Sequence, residues 1–307
     1  MTLKSVLLVG ANGTLGAKIL DALVASKSFK LSALKRAGSP NTPWYPADQV
    51  QVVEVDNDLS FEGLMKAFAG QDAVIVSFRL RNLEQHLRIA EAAEAAGVKH
   101  FIPADFGSID AENPRARELI PLYRYKLAVR QKAQELADKN PNFAWTGIVC
   151  GHFFDWGVRE GFLHAYLDRK EIDIINGGNL KASAATLPRV ADAVVRILQK
   201  GVTDETKNKT LFIQSFCITQ QELIKSLEKA TGSKWAVNDL DSESFIREHK
   251  KKADAGDAEA IEDLVFAVGT LDADWTKRDE FAMKTLGFED EDLDAVIADI
   301  VANPKAV

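Results

Sequence analysis

Gly10, Gly13 and Gly16 follow one another at intervals of three, directly behind the apolar run Val6-Leu7-Leu8-Val9. Residues of these types at this spacing can hold a pyrophosphate. Gly10 lets the chain turn sharply, Gly13 lets bare backbone approach an anion, and Gly16 lets a following helix pack close to the strand. Asn12, Thr14 and Leu15 would present their backbone N–H groups at the start of that helix, where the helix dipole favours negative charge. Leu15, Ile19, Ala22 and Leu23 supply the helix with an apolar face. The spacing is GxxGxxG rather than GxGxxG, and a glycine-rich turn without a ligand is the plain alternative.

The next strand sharpens the reading. An NAD site ordinarily offers an acidic residue about 20 positions beyond the glycines, for the ribose hydroxyls. Here Leu31-Ser32-Ala33-Leu34 runs into Lys35-Arg36, with no carboxylate at that place. Two cations attract a 2′-phosphate that an acid would repel, and arginine can grip it with a fork. The pair predicts NADP(H) over NAD(H), against the plainer alternative of two surface cations.

Composition sets the frame. The chain has 307 residues, 46% of them hydrophobic, which suffices for one large domain or two modest ones. A net charge of −7 disfavours nucleic acid and anionic membrane as main partners. Cys150 and Cys217 are isolated, without metal-ligand spacing, and suit a reducing compartment. No apolar stretch reaches the roughly 18 residues of a membrane span, and no secretory leader is recognisable. A soluble, cytoplasmic protein is expected, monomeric or homodimeric, acting on a small molecule, with no metal.

Elements must position these residues. Strand patterns fall at about Ser5–Val9, Leu31–Leu34, Val50–Val55, Ala73–Ser77, His100–Ile102 and Phe143–Val149, with helical patterns between them, the last running from about Pro121 to Ala137. Almost uniformly apolar strands separated by helices indicate a parallel sheet covered on both faces. The expected class is α/β: a doubly wound parallel (Rossmann) sheet with a smaller, mostly helical C-terminal substrate-binding cap. The nucleotide domain is placed at 1–152 and the cap at 153–307, interleaved with the sheet. Ligands bind at the carboxyl ends of such strands. That gives weight to Asp58, to Ser77 and Phe78, to Pro103 and Asp105, and to the segment from Val149 to Phe154, which includes Gly151. Beyond residue 150 a helix is expected near Val158–Leu167, a turn at Asn176-Gly177-Gly178, and a capping box at Thr219-Gln220-Gln221-Glu222.

No HExxH, paired CxxC or GxSxG occurs, and the five histidines are scattered. The candidate reactive group is Lys126, on the helix between the fifth and sixth strands. In a doubly wound dinucleotide fold that helix borders the nicotinamide end of the cofactor. A lysine there can hold the nicotinamide ribose and move a proton at the substrate. A solvent-facing lysine on an amphipathic helix is the alternative.

Together these segments resemble the isoflavone reductase-like and phenylcoumaran benzylic ether reductase group of atypical short-chain dehydrogenases, and the wider NmrA-like family. The matching pieces are the three glycines, the basic end of the second strand, Val98-Lys99-His100-Phe101-Ile102-Pro103-Ala104-Asp105-Phe106-Gly107, and Lys126 with Val129-Arg130-Gln131-Lys132. Leu122 stands where ordinary short-chain dehydrogenases carry tyrosine. The resemblance implies an NADPH-dependent reductase in which Lys126 alone is the general acid or base. It also implies cofactor contacts from Gly151 and Phe153, and a substrate wall including Phe154 and Trp156, unless these aromatics are packing. The family carries Glu before Phe-Gly where this chain has Asp105, which either positions substrate or caps its loop. His152 is a proton relay or a structural hydrogen bonder, Tyr123 a helper or a packing residue, and Asp58 an adenine contact or, with Ser60, a helix cap. Two readings follow. One is a reductase of small aromatic or polyketide-like compounds. The other is an NmrA-like redox sensor that binds NADP(H) without turnover, a class that commonly lacks the lysine. An epimerase or dehydratase is a weaker third.

Overall fold

The computed structural model describes residues 2–39, 45, 46 and 48–305. In chain order its elements are β1 (Ser5–Val9), α1 (Thr14–Ser26), β2 (Lys30–Arg36), β3 (Val50–Val55), α2 (Phe61–Phe68), β4 (Ala73–Val76), α3 (Leu83–Ala95), β5 (His100–Ile102), α4 (Pro114–Leu119), α5 (Pro121–Lys139), β6 (Ala144–Val149), β7 (His152–Phe153), α6 (Phe154–Arg159), β8 (Ala165–Tyr166), β9 (Glu171–Ile175), β10 (Ala182–Ala185), α7 (Leu187–Lys200), β11 (Lys209–Phe212), β12 (Phe216–Ile218), α8 (Gln220–Thr231), β13 (Ala236–Leu240), α9 (Ser242–Asp254), α10 (Ala258–Leu271), α11 (Met283–Leu286) and α12 (Leu293–Ala302). The chain divides into two compact units. The first takes Met1–Phe106, Arg124–Ile148 and Val190–Leu211; the second takes Gly107–Tyr123, Val149–Arg189 and Phe212–Val307.

The first unit is built on a seven-stranded sheet in the order β11-β6-β5-β4-β1-β2-β3. From β3 through β6 the strands pair in parallel, with Val6 opposite both Leu31 and Ala73. Strand order reverses between β1 and β4, the topological switch point at which such sheets bind ligands. Strands buried on both faces need apolar residues throughout, and Ala73-Val74-Ile75-Val76 is buried at every position. Leu7, Val9, Leu64, Phe68, Val74, Ile89, Phe101 and Phe143 join one core cluster. The doubly wound parallel sheet is therefore the one the strand and helix rhythm predicts.

The second unit holds helices and two small sheets, β12-β10-β7 and β13-β9-β8. The Thr219 capping box forms in full: Thr219 accepts from the Glu222 backbone N–H, and Glu222 accepts from the Thr219 N–H. The helix expected near Val158–Leu167 does not form. Helix α6 ends at Arg159, and Gly161 and His164 take φ of 74° and 54°. Left-handed residues cannot continue a right-handed helix, so the chain turns and enters β8. The small sheets escaped sequence reading because β7 and β8 have two residues each, too few to show a period. Among the described residues no helix is long and apolar enough to cross a membrane.

Candidate active site

In the first unit, β1 is followed by Gly10 with φ of 94°, a conformation that side chains rarely tolerate. A Cβ there would lie 2.9 Å from the backbone N of Phe78, at the end of β4. A Cβ on Gly16 would lie 1.9 Å from the carbonyl oxygen of Gly10. Both glycines are thus demanded by the protein itself. Gly13 differs: its Cβ would meet nothing closer than the Gly10 oxygen at 3.4 Å, an ordinary contact. Packing gives no reason for glycine at position 13, which leaves the surface outside the turn as the reason. Gly13 is also the N-cap of α1, and no side chain caps that end. The N–H groups of the first turn therefore face outward without a side-chain acceptor, and that suits an anion. The Ser77 hydroxyl donates to the carbonyl of Val9 at 3.1 Å, tying β4 to β1 at the switch point.

Lys35 and Arg36 are the last two residues of β2. Lys35 is half-buried and 3.9 Å from Glu54, its register neighbour on β3, whereas Arg36 is exposed. Part of the Lys35 charge is thus met inside the sheet, and Arg36 is the freer anion ligand of the two. Ser60 caps α2 by accepting from the Gly63 N–H, braced by the Asp56 carboxylate, to which its own N–H and hydroxyl donate. Asp58 joins through its backbone: its N–H donates to the Asp56 carboxylate, and its carbonyl oxygen accepts from Arg88 at 3.0 Å. Phe78 is half-buried, its ring 4.4 Å from that of His86.

Lys126 is 8% exposed, as buried as a core residue, and lies on the stripe of α5 that continues through Arg130, Ala133 and Ala137. It does not face solvent. Arg130, one turn further along, donates from Nε to the Oδ2 of Asp105 in the loop after β5, and both side chains are almost fully buried. A Cβ on Gly147 of β6 would come 3.0 Å from that carboxylate, so glycine at 147 leaves it room. The other oxygen of Asp105, Oδ1, is buried with no partner among the described residues. Asp105 is followed by Phe106 at φ 38°, a conformation non-glycine residues seldom hold.

In the second unit, Gly151 has φ of 77°, and a Cβ there would lie 2.0 Å from the Ser183 oxygen. β7 pairs with β10, placing His152 opposite Ala184 and Phe153 opposite Ala185. His152 and Phe154 line an open cleft together with Phe266, Leu223, Leu180 and Ile218. Phe153 and Trp156 are not among its lining residues; Trp156 packs on Phe162, with ring centroids 5.4 Å apart. Cys150 and Cys217 are free thiols. No group of three or more His, Cys, Asp and Glu side chains among the described residues is arranged to hold a metal ion.

The NmrA-like family model matches residues 2–283 of this chain. The chain belongs to the NmrA-like family. An Aspergillus flavus protein of that likeness, oxidoreductase aprR, is 31% identical over 305 residues, covering 98% of this chain and 99% of its own. Oxidoreductase poxI of Penicillium oxalicum is 33% identical over 262 residues, or 84% of this chain and 79% of its own. Triphenylmethane reductase of a Citrobacter species, solved in complex with NADP(H), shares the fold with a TM-score of 0.69 at 23% identity, over 96% and 99% of the two chains. The chain is an oxidoreductase of the NmrA-like family.

Within this family member, sequence reading missed several residues that the structure puts at its cleft and beneath its lysine. Phe266 and Thr270 line the cleft from α10, where an isolated Gly269 within an apolar helix was the available signal. Arg130 shares a helix face with Lys126, four residues away, but nothing in the sequence signalled that this face is buried.

Proposed function

We propose that this oxidoreductase is an NADPH-dependent reductase of small aromatic or polyketide-like compounds, with Lys126 as its general acid or base. The burial of Lys126 carries this reading. An ammonium group removed from water is held at a free-energy cost that a solvent-facing lysine escapes. It lies on α5, the helix that we take to border the nicotinamide end in this class of sheet. NADPH supplies a hydride when bound. The chain's residues do the rest: Gly13 and the uncapped start of α1 receive the pyrophosphate, and Arg36, with Lys35 behind it, receives the 2′-phosphate. Asn12, Thr14, Leu15, Ser77, Phe78 and Asp58 border the nucleotide at the strand ends, and Pro103, Gly151 and Phe153 border its nicotinamide half. Lys126 then holds the nicotinamide ribose and delivers or removes the proton that balances hydride transfer at a carbon of the substrate. The Asp105–Arg130 pair braces the helix that carries it. His152, Phe154 and, more peripherally, Trp156 select the substrate.

The test mixes protein and NADPH with a panel of aromatic enones, imines and benzylic ethers and follows nicotinamide absorbance. Turnover of one class supports the reductase. Tight NADPH binding with no turnover across the panel favours the sensor reading instead.

A further inference from the structure

The polar groups around the cleft of the second unit account for themselves, except one. The Ser183 hydroxyl donates to Gln214 at 2.9 Å, and that of Thr270 to the Phe266 carbonyl at 2.8 Å. Thr219 is spent in its capping box with Glu222. Gln220 accepts from the Ile175 N–H at 2.8 Å and donates to the Asp173 carbonyl at 3.3 Å. His152 is the exception. Its Nε2 lies 3.3 Å from the Phe266 carbonyl, while its Nδ1 is buried with no partner among the described residues.

Elementary chemistry fixes what that nitrogen is. A carbonyl oxygen only accepts, so Nε2 carries the hydrogen, and the neutral ring leaves Nδ1 as a bare lone pair. Burial pushes the His152 pKa down to about 4, and neighbouring His164 adds repulsion. His164 is held toward its charged form by Asp173 and Asp263, at 3.0 and 3.1 Å from its two ring nitrogens. The His152 ring cannot turn away easily. A Cβ on Gly269 of α10 would lie 2.5 Å from its Cε1 and Nε2, so the helix lies flat against it. Apart from those internally bonded groups the wall is apolar, including Phe154, Leu163, Leu180, Ile218, Leu223 and Phe266, and no Asp, Glu, Lys or Arg is among the lining.

We propose that this cleft binds an uncharged, largely apolar molecule that donates one hydroxyl hydrogen to His152 Nδ1, and that this single acceptor sets its specificity. A ligand with only acceptors leaves two lone pairs facing each other, and a charged ligand finds no counterion. The proposal deepens the reductase reading, and rests on it for calling the ligand a substrate; the binding itself stands apart from turnover.

The test is calorimetry on the full chain loaded with NADP⁺, which cannot turn over, using β-naphthol and its methyl ether as probes. Leaving a buried acceptor unmet costs about 1–3 kcal/mol, so the wild type should prefer the naphthol by roughly five- to a hundredfold. His152→Leu should bring the ratio to about one by weakening the naphthol alone, and His152→Gln, which restores an acceptor, should recover part of the preference. NADP⁺ affinity measured in each variant reports that the chain is folded. Equal affinity for the two probes in the wild type, no binding of either, or a preference that survives His152→Leu overturns the proposal. Should His152→Leu lose both probes, the His152→Gln ratio decides: a retained preference supports the acceptor and a ratio of one removes it. Absent turnover beside an intact naphthol preference would sink the reductase reading alone. Turnover beside a ratio of one would sink this inference alone.

Discussion

The glycine turn of the first unit and the cleft of the second are made of different materials. The turn is backbone: Gly10 and Gly16 are positions where any side chain would collide with main chain or its close neighbours, and Gly13 is one where none would. The cleft is side chain: a histidine, two phenylalanines and aliphatic groups drawn from β7, α6, β10, α8 and α10. A backbone site can be read from residue spacing, because it is local and each position admits few residue types. A side-chain site depends on which distant segments pack together, and only the fold assembles it.

The same contrast extends to titration, and gives the largest expected effect. In the first unit His86 and His100 are neutral, burial pushing both pKa values down to about 4 from 6.5. His100 donates from Nε2 to the Thr146 hydroxyl at 2.7 Å, a bond made without a positive charge. The second unit sets a neutral His152 beside His164, whose pKa burial lowers but Asp263 and Asp173 together raise above its ordinary value. Between pH 6.5 and 4 the unfolded chain binds protons that the buried neutral histidines refuse. Their stabilisation, complete above 6.5, is lost on acidification at up to about 1.4 kcal/mol per pH unit for each. His164 behaves oppositely: its contribution is complete below 6.5 and is lost as pH rises through its higher folded value. Hydrogen exchange across a pH series should therefore show the first unit loosening on the acid side and the region around His164 loosening on the alkaline side as well. Uniform behaviour of both units would break the contrast.

Next in size are the glycines. Gly16→Ala should destabilise the chain by about 1–3 kcal/mol in urea unfolding, because its methyl group enters the Gly10 carbonyl, and should lose NADPH binding with it. Gly13→Ala should leave stability within about 0.5 kcal/mol and still weaken NADPH at least tenfold, a separation that only a ligand-facing backbone gives. If Gly13→Ala binds NADPH as the wild type does, the turn is structural. The smallest effect concerns the end of β2. Arg36→Ala should weaken NADPH about tenfold with NADH unchanged, as calorimetry would show. Lys35→Ala should do less, because Glu54 already draws on that charge.

The reach of sequence reading follows the same line. The strand and helix rhythm, the basic end of β2 and the place of Lys126 on α5 were all legible, because each is a local pattern. The burial of Lys126 was not, because an amphipathic helix does not announce which stripe faces inward when the stripe itself contains Lys126 and Arg130. Asp105 was legible as a strand-end acid, but its partner, 25 positions later, was not. The turn at His164 defeated helical periodicity because the left-handed backbone there follows from no local pattern; the ring's partners are Asp173, nine positions on, and Asp263, ninety-nine positions on. Trp156 looked equivalent to Phe154 in sequence, and only the fold shows that Phe154 alone of the two lines the cleft.

In the proposed mechanism Lys126, a buried residue, manages the proton during reduction. The most direct measurement is single-turnover oxidation of bound NADPH by the best substrate of the panel, in the wild type and in Lys126→Met, with cofactor affinity determined beside it. The account predicts a rate at least a hundredfold lower in the variant, the scale of a lost general acid or base, with NADPH affinity changed only a few-fold. A variant rate within a few-fold of the wild type would contradict it.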